Sequence, residues 1–297
     1  MSTATIAPLE VGVCSWSLRN SDWPSLKRLP ETLQLRLLHL GLVEAAELAA
    51  DKQAAWVQQA RNSGLLFSAA MIGFPGENYH SLATIKATGG FVPDAEFETR
   101  LKRVVAAGRI TRQLGISILT THAGFLPPAA ERANFLKMVK RLQRVIDALA
   151  ESSVTLLFET GQEKPTDLAA FLAALGRANV GINFDPANLI LYGAGEPAAA
   201  VEILGPWIRQ MHAKDARRSV AASGDQWRGQ ECVLGEGDAQ LPQVLAGLWQ
   251  RGYRGPVIIE WEGGADQLAS LRRGAEFLRG IIRNLPRTPH EGAAKPA

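Results

Sequence analysis

A chain of 297 residues with 46% hydrophobic and 21% charged side chains carries enough apolar material for one large core, and α/β barrels reach this length as single domains. No run of about 18 apolar residues occurs, which excludes a membrane-spanning helix, and MSTATIAPLE at the amino terminus lacks the basic and apolar regions of a secretory signal. The net charge of +3 is scattered and makes no dense stripe for nucleic acid, while Cys14 and Cys232 fit no metal or redox spacing, in keeping with a reduced, cytoplasmic setting.

In chain order, short apolar runs alternate with longer amphipathic segments. The runs read as eight strands: Leu9–Trp16, Val43–Leu48, Leu65–Ile72, Ile116–His122, Val154–Glu159, Val180–Asp185, Trp207–His212 and Val257–Glu260. Each is rich in Val, Ile, Leu or Phe, and most follow a Gly or Asn turn signal. Between them, spaced apolar residues predict helices such as Leu101–Leu114 and Phe135–Leu149, with a closing helix over Gln267–Ile282. His39 falls in the first helix of this reading.

Eight strand–helix units predict an α/β fold, a single (β/α)8 TIM barrel with parallel strands over residues 1–284. A doubly wound open sheet competes, but no G-x-G-x-x-G follows the first strand. The Pro-, Gly- and Ala-rich stretch from Leu285 to Ala297 reads as a disordered tail. Two long loops, Gly73 to Pro93 and Ala213 to Gly237, follow the third and seventh strands, on the face where barrels build their sites.

Four strands end in residues of metal-ligand type. TLLFETG ends at Glu159, GINFDPANL reaches Asp185, IRQMHAKD reaches His212 and GPVIIEWEGG reaches Glu260. A barrel brings these strand ends to one rim, where three carboxylates and an imidazole repel or neutralise one another unless a cation sits among them. Taken singly, each has a plainer reading: Asp185 before Pro186 as a turn or helix cap, His212 as a core histidine. Four on successive strands favour one divalent ion. Oxygen-rich ligands with one nitrogen suit Mn²⁺, Mg²⁺ or Co²⁺, and accept Zn²⁺. Glu262 rivals Glu260, which is preferred because it directly ends the apolar run.

With these motifs in hand, the chain resembles the sugar phosphate isomerase/epimerase group of the xylose-isomerase-like barrel superfamily. NFDPANL at Asn183–Leu189, MHAKD at Met211–Asp215, LGEGD at Leu234–Asp238 and YRGPVIIEWEG ending at Gly263 carry the resemblance, which begins at CSWSL, Cys14–Leu18. It implies that Glu159, Asp185, His212 and Glu260 bind the metal and that Glu159 and Glu260 also serve as acid and base. The expected reaction is isomerisation or epimerisation of a keto sugar or related polyol. A proton leaves the carbon beside a carbonyl, and the cation bears the charge of the enediolate. Dimers or tetramers are common in such a family, so a homo-oligomer is among the expected states.

Other residues are candidates for substrate contact, each beside a plainer reading. His122 ends strand four and Glu47 ends strand two, either to meet sugar hydroxyls or to serve structure. Asn188 lies three residues after Asp185, as a substrate contact or a turn terminator. Lys214 suits a substrate oxygen, or is a solvated lysine paired with Asp215. Trp16 and Phe74 offer an apolar wall, or belong to the core. His80 lies in the third loop. Arg217, Arg218 and Arg228 invite a phosphate reading, but no Gly-rich cradle accompanies them and a solvated or subunit-contact loop accounts for them.

The same machinery fits an inosose (cyclitol) isomerase or dehydratase. An endonuclease IV-like phosphoesterase would need further histidines: position 188 is Asn, and no histidine lies between His212 and Glu260. A non-catalytic sugar-binding barrel sits poorly with a complete ligand set. The expected partner is a small sugar or cyclitol, not nucleic acid or membrane.

Overall fold

The computed structural model describes residues 6–219, 224, 226–264 and 266–286. Among the described residues ten strands follow in chain order: β1 (Val11–Cys14), β2 (Leu37–Gly41), β3 (Leu66–Met71), β4 (Ile118–Thr121), β5 (Thr155–Glu159), β6 (Val180–Phe184), β7 (Ile208–Ala213), β8 (Asp215–Arg218), β9 (Gly229–Cys232) and β10 (Val257–Ile259). Eight of them close a barrel in the order β1, β2, β3, β4, β5, β6, β7, β10, with β10 returning to β1 and every neighbouring pair parallel. The (β/α)8 barrel expected from the alternation is the observed fold.

Helices wrap the barrel because their apolar residues repeat at helical spacing. In the helix Arg132–Ala150, Phe135, Met138, Val139, Leu142, Val145, Ile146 and Leu149 are buried, a single stripe turned inward. Each such side chain contributes about 1.5–3 kcal/mol by leaving water, and Leu142→Asp would break the stripe at its centre. The helix Gln267–Arg283 starts at Asp266, whose side chain accepts the Ala269 N–H. It matches the expected closing helix, as Phe97–Gln113 matches the one expected at Leu101–Leu114.

The second strand departs from expectation. It lies at Leu37–Gly41, not Val43–Leu48, and residues 45–47 form a short 3-10 turn. The run LQLRLLHLGL satisfies helical and strand spacing alike. Pairing with Gly12–Cys14 on one side and with β3 on the other decides for a strand. His39 is therefore a barrel residue, not a helical one. The third loop contains the helix Leu82–Thr88, capped by Ser81 with Thr84. The seventh holds the antiparallel β8–β9 hairpin. Of the expected tail, residues 287–297 lie outside the described residues.

Two cores separate. The larger lies between strands and helices and is apolar throughout. Inside the barrel, Cys14, Leu37 and Ile258 form a small plug. A polar layer accompanies it, joined across the barrel by His39, Thr120, Asn183, Gln210 and His212.

Candidate active site at the carboxyl ends of the strands

The rim grows from the last residues of four adjacent strands. Glu159 ends β5, Asp185 follows β6, His212 lies in β7 and Glu260 follows β10. One ligand-type atom from each lies within 4.8 Å of the others, and all four residues are buried. His212 Nδ1 stands 3.4 Å from Glu159 Oε1 and 3.4 Å from Glu260 Oε2.

Local hydrogen bonds hold this arrangement. The Asp185 N–H donates to Thr160 Oγ1 at 2.8 Å and Thr160 donates back to the Asp185 carbonyl at 3.2 Å, tying β5 to β6. Asp185 Oδ1 caps the helix Pro186–Leu191, accepting from Ala187 and Asn188 N–H. The cap reading of Asp185 thus holds for one oxygen; the other is unengaged. Asn188 donates to Glu159 Oε1 at 3.1 Å. Gly161 has φ +139, and a Cβ there would lie 2.3 Å from that of Asn188, so only glycine lets the loop after β5 meet this helix. Asp215 organises the LGEGD segment by accepting from the N–H groups of Gly235, Gly237 and Ala239.

Beneath the rim, His212 Nε2 is 2.9 Å from His39 Nδ1, and His39 Nε2 is 2.9 Å from Thr120 Oγ1. When Nε2 of His212 donates to His39, its Nδ1 lone pair faces the carboxylates, as a metal-binding imidazole requires. Burial keeps His39 neutral, far below the usual histidine range, and His212 adds to that effect. Sequence reasoning missed His39; had β2 been placed at Leu37–Gly41, the strand's alternation would have aimed it inward beside Cys14.

Charge is unevenly settled at the rim. Burial pushes the Glu260 carboxyl up, but Lys214, His212 and the Trp16 indole N–H outweigh it and hold the group well below the carboxylate range. Trp16 Nε1 donates to Glu260 Oε1 at 2.6 Å and Lys214 Nζ to Oε2 at 3.1 Å. Asp185 is pushed well up, chiefly by burial, with Glu260 and Glu159 adding repulsion. Among the described residues, three buried atoms of the rim, Glu159 Oε2, Asp185 Oδ2 and His212 Nδ1, have no hydrogen-bond partner. Buried polar atoms left so cost about 1–3 kcal/mol each. A divalent cation among these hard donors would satisfy all three, and the residues present fit one.

A cavity of about 520 Å³ opens over the rim. Trp16, His122, Asn188 and Lys214 line it, with Glu159 and Glu260 at its floor. His122 Nε2 lies 3.8 Å from Glu159 Oε2. Lys214 pairs with Glu260 and, at 2.6 Å, with Glu262. The pairing of Lys214 with Asp215 is therefore overturned: Asp215 faces its own loop. Glu262 has a side chain 56% exposed and falls outside the ligand-atom cluster, which Glu260 joins.

Glu47 is a further correction. It sits on the 3-10 turn after β2, its side chain 60% exposed and paired with Arg103, and it does not line the cavity. Phe74 is a core residue, stacked edge-on with Phe91. His80 is exposed on the third loop and away from the cavity lining. Arg217 pairs with Glu236 and Arg218 with Glu196, while Arg228 bonds the Gly224 carbonyl. The sequence reading also missed Glu44, Glu77, Tyr79, Tyr192, Trp227 and Glu231 of the wall. Only the positions of Glu77, Tyr79, Trp227 and Glu231 in the two long loops hinted at them.

No curated protein matches the chain. Among solved structures, a xylose isomerase domain protein from Planctomyces limnophilus is 28% identical, with TM-score 0.82, covering 94% of this chain and 98% of that one. A xylose isomerase-like TIM barrel protein from Mycobacterium smegmatis, in complex with magnesium, is 17% identical with TM-score 0.70, covering 95% and 98%. D-allulose 3-epimerase from Methylomonas sp., in complex with D-allulose, is 17% identical with TM-score 0.67, covering 95% and 100%. A profile of the xylose isomerase-like TIM barrel matches residues 36–281, most of the chain, and the protein therefore belongs to that family.

Proposed function

We propose that this chain is a divalent-metal-dependent isomerase or epimerase of a keto sugar or related polyol. The observation that carries the reading is the convergence of three buried atoms without a hydrogen-bond partner among the described residues, Glu159 Oε2, Asp185 Oδ2 and His212 Nδ1, beside the Glu260 carboxylate. These four residues would hold the ion. When bound, it supplies positive charge where an oxygen turns negative as a proton leaves the adjacent carbon.

The protein's own groups move that proton. Glu159 and Glu260 come from the two ends of the arc β5, β6, β7, β10 and flank His212 Nδ1 at equal distance. A substrate seated there has a carboxylate on either side, so one takes the proton from one face and the other returns it. Lys214, His212 and Trp16 hold the Glu260 carboxyl well below the usual carboxylate range, which favours the ionised form a base needs. Asn188 orients Glu159, while His122 and Lys214 line the cavity where sugar hydroxyls would sit.

A dehydratase would use the same abstraction and also need an acid for the leaving hydroxyl. Lys214 is held by Glu260 and Glu262, and whether water is lost separates the two reactions. The magnesium-bound and D-allulose-bound relatives agree with the reading.

The test is exchange. The Mn²⁺-loaded protein, incubated with a ketose panel in deuterated water, is expected to wash deuterium into the carbon beside the carbonyl without loss of water, and chelation is expected to stop it. Exchange that persists after the ion is removed would overturn the metal role. Loss of water from the product would replace isomerisation by dehydration, and no exchange across the panel would defeat the reading.

A further inference from the structure

Resting on that reading, we propose that the substrate is an uncharged, two-ring compound, a ketose carrying a second sugar, instead of a free monosaccharide or a sugar phosphate. Three observations carry this. The first is size. The cavity of about 520 Å³ falls within the roughly 300–1,000 Å³ of small-molecule sites, and the rim residues Glu159 and Glu260 take up only its floor.

The second is where the spare room lies. The four rim residues come from β5, β6, β7 and β10. Segments after β1, β2 and β3 contribute Ser21, Val43, Glu44, Trp56 and Tyr79 to the same cavity, and none of these is a ligand of the rim. Val43 is 49% and Tyr79 40% exposed, large apolar surfaces left open on this side. Trp56 is backed by the buried Trp23 at 5.1 Å between ring centroids, and Trp23 in turn meets Phe67. A fixed indole beside hydroxyl- and carboxylate-bearing neighbours suits the mixed surface of a sugar ring, whose C–H face is apolar and whose edge is polar.

The third is charge. Glu44, Glu77, Glu159, Glu231, Glu260 and Glu262 line the cavity, and Lys214 is the one lysine or arginine among the described lining residues. Lys214 is already engaged by two carboxylates, and the arginines of the seventh loop pair elsewhere. A phosphate placed here would meet like charge without the paired cations that phosphate recognition uses.

A matched set of probes tests all three. D-fructose, D-fructose 6-phosphate and disaccharides of fructose bearing a hexose on O3, O4 or O6 (turanose, lactulose, isomaltulose) are titrated into Mn²⁺-loaded full-length protein by calorimetry. At least one disaccharide is expected to bind about tenfold or more tightly than fructose, and the phosphate most weakly. Trp56→Ala is expected to bring the disaccharide-to-fructose affinity ratio toward one. Val43→Glu, at a position 49% exposed, is expected to do the same if Trp56→Ala fails to fold. Fructose binding as well as every disaccharide, or the phosphate binding best, overturns the two-ring inference and leaves the isomerase reading standing. Absence of binding by every probe, with no deuterium exchange, overturns both.

Discussion

On β6 and its end, Phe184 and Asp185 are adjacent and both fully buried, yet they belong to different regions. Phe184 belongs to the shell between strands and helices, where the neighbours are apolar. Asp185 belongs to the rim at the mouth of the barrel, among carboxylates and an imidazole. The shell gains free energy by excluding water from hydrocarbon. The rim spends some of it by burying acceptors that hydrogen bonds leave unsatisfied. One alternating strand supplies both, so substitutions should divide by face: shell changes act on stability, rim changes on metal and turnover.

The largest expected effect is at the rim. Glu260→Gln keeps the shape but removes the charge and is predicted to lower turnover by about a thousandfold or more, within the range of a lost general base. Circular dichroism should show a folded barrel, and undiminished turnover would sink the acid/base role. In the shell, Phe171→Ala removes a ring buried against Phe135 at 5.2 Å. Denaturant unfolding should show a loss of about 3–5 kcal/mol, while the folded fraction binds the same amount of Mn²⁺. A changed metal stoichiometry there would blur the division between regions.

His39→Phe tests the layer under the rim. It removes the ring nitrogen that stands 2.9 Å from His212 Nε2 and is expected to weaken Mn²⁺ affinity about 10–100-fold, with a smaller change in fold stability; unchanged affinity by titration would make His39 merely structural.

The smallest effect separates a carboxylate outside the rim from those in it. Burial raises the Glu163 carboxyl to about 8, against the Leu126 N–H that it accepts. Because the folded state prefers the protonated form, this group costs stability as pH rises from about 4.5 toward 8. Glu163→Gln retains an acceptor for Leu126 and removes the charge. Its advantage over the natural chain should be absent near pH 4, grow to roughly 1–2 kcal/mol by pH 8 after discounting for partial exposure, and then level off. Thermal unfolding across that range checks it, and an advantage that shrinks with rising pH would reverse the sign.

Much of the rim was legible because four apolar runs stop at an ionisable residue, and a barrel turns consecutive stops into neighbours. His122, Asn188, Trp16 and Lys214 were also nameable, since each lies within a few residues of a strand end. The partners were harder. Lys214 stands beside Asp215 in the chain, and proximity suggested a pair. The backbone turns the two apart: Lys214 reaches Glu260 and Glu262, while Asp215 collects backbone N–H groups of a loop about twenty residues further on. Glu47 failed for a different reason, because it inherited the wrong strand.

By itself the sequence determined the fold class, the alternation and the four residues at the strand ends, since these depend on local periodicity and on where each apolar run stops. Only the tertiary structure decided that Leu37–Gly41 is the second strand, because a leucine-rich run satisfies both periods until hydrogen bonds to β1 and β3 choose between them. With that strand came His39 under the rim, the partners of Lys214, and a wall assembled from Trp56 on the helix Ala50–Arg61 and from Tyr79 and Trp227 on two distant loops. These are contacts between segments far apart in the chain, and neither composition nor spacing encodes which distant surface a side chain will meet.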